Sequence, residues 1–112
     1  MREMTPDECK AYLESAPVKP LLLDVREPWE YNIVHLEGSQ LMPMRQVPLE
    51  ADSLDADSEI VVICHHGIRS RQVALFLKAR GFSNVINLRG GILDWQRRGQ
   101  PVEKPQAAQL AG

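Results

Sequence analysis

The chain has 112 residues, a net charge of −2, 44% hydrophobic and 25% charged residues. That length holds one domain with a real core and is too short for two. The composition is globular, with no basic stripe for nucleic acid and no acidic block for a tail.

The N-terminus, MREMTPDECK, is charged from its second residue and lacks the apolar core of a signal peptide. No apolar run approaches the ~20 residues needed to span a bilayer. A cytoplasmic protein with no membrane or nucleic-acid partner is expected. In that reducing compartment Cys9 and Cys64 are expected to stay unpaired.

Thr5-Pro6-Asp7-Glu8 reads as a helix start, with Thr5 as cap and Pro6 at the first helical position. The helix is expected to run to Glu14 or Ser15, before Pro17. Cys9, Tyr12 and Leu13 make its buried face, so Cys9 is assigned to core packing. Leu21 to Val25 is a short apolar run of the kind found in buried parallel strands. Glu27 to Tyr31 predicts a short helix, and Ser39 to Met42 a short strand ended by Pro43. A helical turn is expected over Val47 to Ala51. Glu59 to Ile63 is β-branched and apolar, the strongest strand signal in the chain. From Arg69 the period becomes helical through Val73, Phe76, Leu77 and Arg80, with Gly81 as the stop. Asn84 to Leu88 predicts another strand, Gly90-Gly91 a tight turn, and Ile92 to Arg97 a short helix. Residues 1–99 form the expected domain and 100–112 a flexible tail or surface arm.

Strands separated by helices imply an α/β fold with a mainly parallel sheet of about five strands and helices on both faces. Sites in such sheets form beyond the carboxyl ends of the strands. Cys64 is the first residue beyond the strongest strand, and CHHGIRS follows the strand into a helix. Gly67 allows the chain to curl there. A tight loop feeding a helix N-terminus turns backbone N–H groups inward and makes an anion nest. A thiolate at Cys64 would be stabilised by those dipoles and by Arg69. The same amides could hold a persulfide after the thiolate takes up a sulfur atom, which is covalent catalysis.

Four stretches in order resemble the rhodanese superfamily of sulfurtransferases, in its single-domain form, over roughly residues 1 to 99. LLLDVREPWEY resembles the family's Asp-Val-Arg-Glu strand, and VHLEGS its His-Ile-Pro-Gly-Ala stretch. VVICHHGIRS resembles its Cys-x-x-Gly-x-Arg-Ser loop, and NVINLRGGILDW its closing Leu-x-Gly-Gly segment. Val34 and Glu37 depart from the family's usual Gly and Pro. The resemblance implies a rhodanese-like three-layer fold. It also implies a sulfane-sulfur transferase with Cys64 as nucleophile and His65, His66, Gly67, Ile68, Arg69 and Ser70 as the active loop. Thiosulfate or a persulfide would be the donor, cyanide or a thiol the acceptor, and a sulfur-relay protein a possible partner. Related phosphatases of this fold carry one more residue between Cys and Arg, so the loop length favours sulfur over phosphate. A carrier or binding module with little free turnover is the alternative.

Other residues get plainer expectations. Adjacent His65 and His66 in a tight turn point different ways and lack zinc-site spacing, so they are expected at the pocket mouth, and neither metal nor cofactor is expected. Arg69 suits two jobs equally, binding an anionic donor or bracing the loop. Asp24 and Arg26 are expected to form an ion pair that supports the loop from behind. His35 resembles the family's turn-holding histidine. Trp29, Tyr31 and Trp95 are expected to cover the sheet.

Overall fold

The computed structural model describes residues 1–105. Its five strands are β1 (Arg2–Met4), β2 (Leu21–Asp24), β3 (Gln40–Leu41), β4 (Glu59–Ile63) and β5 (Asn84–Leu88). They lie in the order β1-β5-β4-β2-β3, and every pairing is parallel. The helices are α1 (Pro6–Ser15), α2 (Pro28–Ile33), α3 (Val47–Glu50), α4 (Ile68–Ala79) and α5 (Gly91–Arg97). Among the described residues no helix is long and apolar enough to cross a membrane.

The period of two along each strand divides the core between the faces of the sheet. Leu23, Ile60, Val62 and Val85 face α4 and meet Val73, Ala74 and Leu77. Leu22, Val61, Ile63 and Ile86 face the other way and meet Cys9, Ile92 and Trp95 of α1 and α5. A strand buried on both faces cannot alternate polar with apolar, which is why β4 reads as an unbroken apolar run. Trp95 is buried, and its indole N–H donates to the carbonyl of Pro101 at 2.8 Å.

β1 is not foreseen by the sequence pattern. Arg2-Glu3-Met4 has no apolar run because it is an edge strand, bonded only to β5. Around α1 the capping box is complete: Thr5 Oγ1 accepts from the Glu8 N–H and Glu8 Oε1 from the Thr5 N–H. Two aromatic expectations are corrected. Trp29 is 66% exposed, because α2 is a short surface helix that turns this position outward. Tyr31 is half-buried and stacks on His35 rather than on the sheet, with ring centroids 3.8 Å apart and a Tyr31 O–H to Ser39 carbonyl bond of 2.6 Å.

His35 donates from Nδ1 to the Tyr31 carbonyl at 2.8 Å, and its Nε2 lies 3.2 Å from Glu103 Oε2. The backbones of His35 and Glu103 also exchange two hydrogen bonds as an antiparallel bridge. Of the expected tail 100–112, the part through Pro105 is described, and this bridge holds it against the domain. The remainder of that expected tail lies outside the described residues.

At the end of β2, Asp24 and Arg26 form a buried ion pair, 2.8 Å from Oδ2 to Nη2, with a second contact through Nε. The spare donor on Nη2 reaches the Val34 carbonyl at 2.6 Å. The pair therefore holds the carboxyl end of α2 and acts on the rest of the site through that helix. Removing one partner leaves the other charge buried and alone, at a cost of about 3–5 kcal/mol. Asp24→Ala is therefore expected to lose that much stability in urea unfolding, whereas Glu37→Ala, on the exposed surface, should lose almost none.

Candidate active site

The site begins with strand parity. Ile60 and Val62 face α4, so the next residue of that parity, Cys64, does too, and its side chain is only 1% exposed. Gly67 then adopts φ +94°, a left-handed conformation that costs a side-chain-bearing residue dearly. A Cβ at Gly67 would also stand 3.0 Å from the Gly90 nitrogen and 3.3 Å from the Leu88 carbonyl oxygen. This turn aims the Gly67 N–H at Cys64 Sγ, 3.0 Å away, and launches α4 one residue earlier than the periodicity suggests. Ser70, in the first turn of α4, brings its Oγ within 3.3 Å of the same sulfur.

The outer side of the loop is tied down by α5. Ile92 N–H donates to the Cys64 carbonyl at 2.9 Å, and Leu93 N–H to the His65 carbonyl at 3.0 Å. Gly91 permits this: a Cβ there would lie 2.3 Å from the His65 carbonyl oxygen. The expected role of Gly90-Gly91 as a tight turn is thus joined by a second one, close backbone approach.

Arg69 braces. Its Nη1 and Nη2 reach the two carboxylate oxygens of Glu30 at 2.8 and 2.9 Å, a bidentate pair between α4 and α2. The Arg69 guanidinium, against the cost of burial, holds the Glu30 carboxyl down at about 2, and Glu30 raises Arg69 in return. The Glu27 N–H fixes Glu30 Oε1 from the other side at 3.1 Å. Support thus runs from Asp24 and Arg26 through Val34 and α2 to Glu30, and from there to Arg69.

His65 and His66 meet edge to face, with centroids 4.3 Å apart. His65 lines a pocket of about 200 Å³ with Arg26, Trp29, Glu30, Ile33 and Val34. Burial first, then its neighbour His66, pushes the His65 imidazole below its ordinary value. His66 borders a larger open cleft of about 730 Å³ on the opposite side of the loop, together with Glu3, Gly67, Arg71, Asn87 and Arg89. Among the described residues no three His, Cys, Asp or Glu side chains gather as metal ligands. Ile68 is exposed at the rim. Cys9 is fully buried on the far face of the sheet, where burial pushes its thiol up to about 11.

Three residues at the site escape the sequence reading: Glu30, Asn87 and Glu3. The loop's one arginine is the signal for Glu30, since a half-buried guanidinium needs a carboxylate. Asn87 is a polar residue inside the apolar strand NVINL, which signals a specific partner. It accepts from Ser70 Oγ at 2.5 Å and donates to Glu3 Oε2 at 2.8 Å. Glu3 has no signal in the sequence, because β1 has none.

A strand-end cysteine under a backbone cradle, on a parallel five-stranded sheet, defines a known class. The chain belongs to the rhodanese-like domain family, whose model matches residues 5–98. Among its relatives, a sulfurtransferase of Allochromatium vinosum is 35% identical over 77% of this chain and 80% of that protein. The thiosulfate sulfurtransferase GlpE of Actinobacillus succinogenes is 33% identical over 90% of this chain and 89% of that protein. The crystal structure of a rhodanese-related protein from Thermoplasma volcanium superposes with a TM-score of 0.83 at 29% identity. That match covers 92% of this chain and 98% of the other.

The Glu30–Arg69 brace has a pH signature. The folded-state carboxyl sits near 2 against an ordinary 4.5, so its contribution to stability is complete above about 4.5 and is lost as pH falls through about 2. Glu30→Gln should therefore be less stable than wild type at neutral pH and converge with it toward pH 2, as read by urea midpoints across that range.

Proposed function

We propose that the protein is a sulfurtransferase that carries sulfur as a persulfide on Cys64. The observation that carries this reading is Sγ at the end of β4, held by the Gly67 N–H at 3.0 Å and faced by Ser70 at the helix start. The Cys64 thiolate attacks the sulfane sulfur of a donor. A new S–S bond forms, the donor's bond to that sulfur breaks, and the electron pair leaves with the donor fragment. From thiosulfate the leaving group is sulfite. From an organic persulfide, R–S–SH, it is the thiolate RS⁻, and the proton stays on the transferred sulfur. A thiolate or cyanide acceptor then attacks the outer sulfur and releases the Cys64 thiolate, so one transfer is split into two displacements.

The burial of Cys64 supports sulfur over phosphate as cargo: a slim terminal atom can reach a sulfur at the floor of a cradle more readily than a tetrahedral phosphate can. The charge balance bears on the donor. Arg69 is the loop's permanent cation, and Glu30 neutralises it. A dianion such as thiosulfate therefore meets a cradle made of backbone dipoles, with its one permanent cation already paired. A persulfide of lower charge suits that cradle better.

A relay from a protein donor or to a protein acceptor is the second reading. Trp29 and Ile33, 66% and 51% exposed, stand beside the His65 pocket and give a protein partner apolar area next to the sulfur.

Mass spectrometry tests the proposal. Incubation with an organic persulfide such as glutathione persulfide should add one sulfur atom to Cys64 faster than incubation with equimolar thiosulfate. Cys64→Ala should abolish both the adduct and turnover to cyanide, and undiminished turnover by that variant would sink the reading. Glu30→Gln, which removes the negative charge that neutralises Arg69, is expected to lower KM for thiosulfate about tenfold, in line with one unscreened charge contact near a partly buried site.

A further inference from the structure

The sulfur of Cys64 is the first member of a hydrogen-bonded chain that runs through the molecule to its surface. The thiol S–H donates to Ser70 Oγ at 3.3 Å, and the Ser70 O–H donates to Asn87 Oδ1 at 2.5 Å. The Asn87 amide nitrogen donates to Glu3 Oε2 at 2.8 Å and to the Gly67 carbonyl at 3.3 Å. Ser70 is fully buried and Asn87 is 1% exposed, whereas Glu3 is exposed on the edge strand.

The chain has only one self-consistent direction. A carboxylate and a carbonyl accept hydrogen bonds and never donate, so both demand the NH₂ side of Asn87. That leaves Oδ1 facing Ser70, and an amide oxygen can only accept. The single proton of Ser70 is therefore spent on Asn87, and toward Cys64 the hydroxyl presents a lone pair. A lone pair welcomes a thiol proton and repels a thiolate. For Ser70 to serve an anionic sulfur it must turn its proton away from Asn87 and leave a buried amide oxygen without a partner, which is costly.

From this we infer that Asn87, oriented by Glu3 and by the Gly67 carbonyl, is a positioning residue that keeps the Ser70 proton from the sulfur and so holds Cys64 toward its thiol form. The inference deepens the sulfur-transfer reading, since it concerns the ionisation of the same sulfur, but it does not require that sulfur be the cargo. Glu3 and Asn87 both border the open 730 Å³ cleft, so the outer end of the chain is reachable by solvent or by anything that engages the Glu3 carboxylate. Release of Glu3 leaves the longer 3.3 Å bond to the Gly67 carbonyl to orient Asn87, so the amide turns over more readily; turned over, it gives the Ser70 hydroxyl an N–H donor and frees its proton for the sulfur.

The other charged and titratable groups around the loop are the same in every variant, so differences between variants do not come from them: Arg69 on α4, Glu30 on α2, the Asp24–Arg26 pair beyond β2, and His65 and His66 in the loop. The measurement is an NMR titration of the cysteine Cβ resonances against pH in the intact protein. Cys9, with its thiol near 11, titrates apart as an internal control. Variants are Asn87→Leu and Glu3→Ala, which removes the acceptor that orients Asn87, each with and without Ser70→Ala.

Asn87→Leu should lower the Cys64 midpoint by about one pH unit, the tenfold that a released hydrogen bond to an anion supplies. Adding Ser70→Ala to Asn87→Leu should raise the midpoint again by a similar amount, because Ser70 now donates to the thiolate. In the wild-type background Ser70→Ala should lower it slightly, because the lone pair that favours the thiol is removed. Glu3→Ala also removes a negative charge, so its own downward shift is not diagnostic. The diagnostic is again that Ser70→Ala raises the midpoint more in that background than in wild type. The Glu3→Ala pair lies on an exposed strand and decides the matter if Asn87→Leu does not fold. A midpoint in Asn87→Leu at or above wild type overturns the inference, as does a Ser70→Ala shift of equal size in every background. The sulfur-transfer reading is judged separately by the mass adduct on Cys64, which a shifted midpoint slows or speeds but does not abolish.

Discussion

Two backbone hydrogen bonds govern the site: Ile92 N–H to the Cys64 carbonyl and Leu93 N–H to the His65 carbonyl. They demand that α5 begin against the loop with no side chain between, and Gly91 meets that demand. With its carbonyls engaged on the outside, the loop can direct the Gly67 N–H at the sulfur and pass straight into α4. The cradle is thus made by main chain held by main chain. Side chains at positions 65, 66 and 68 are released from any structural duty, which is why two histidines and an exposed isoleucine can stand there.

Charge at the site follows the same economy. The one arginine of the loop is consumed by Glu30, and α4, a helix of 12 residues, contributes the positive end of its dipole at the sulfur. In the proposed sulfur transfer, a partial charge spread over amides would stabilise an anionic sulfur without a bulky counter-ion fixed in front of it. The buried Asp24–Arg26 pair and the turn around His35 serve this at one remove, by holding α2, and with it Glu30, in place.

Much of this was legible in the residues. The strand β4 announces itself by an unbroken β-branched run, α4 by its period, and the cysteine by its place where one gives way to the other. What was hidden has physical reasons. β1 is three residues on an edge, too short to show a period. Trp29 looks like core by type, but α2 has under two turns and shows that position to solvent. Arg69 could bind or brace on sequence grounds, and its carboxylate partner, Glu30, comes from another helix 39 residues away, where no local pattern announces it. Asn87 and Glu3 lie 84 residues apart and meet solely because β1 and β5 are neighbours in the sheet.

The contact between His35 and Glu103 bears on how the unit can be moved between proteins. The family's common span closes at residue 98, yet the buried indole of Trp95 finds its acceptor at Pro101 and the edge beside His35 is paired by Glu103. A module excised at the family boundary would take with it a buried N–H stripped of its acceptor and a bare stretch of backbone next to the helix that holds Glu30. For grafting onto another chain, the unit that carries its own chemistry intact ends beyond Glu103.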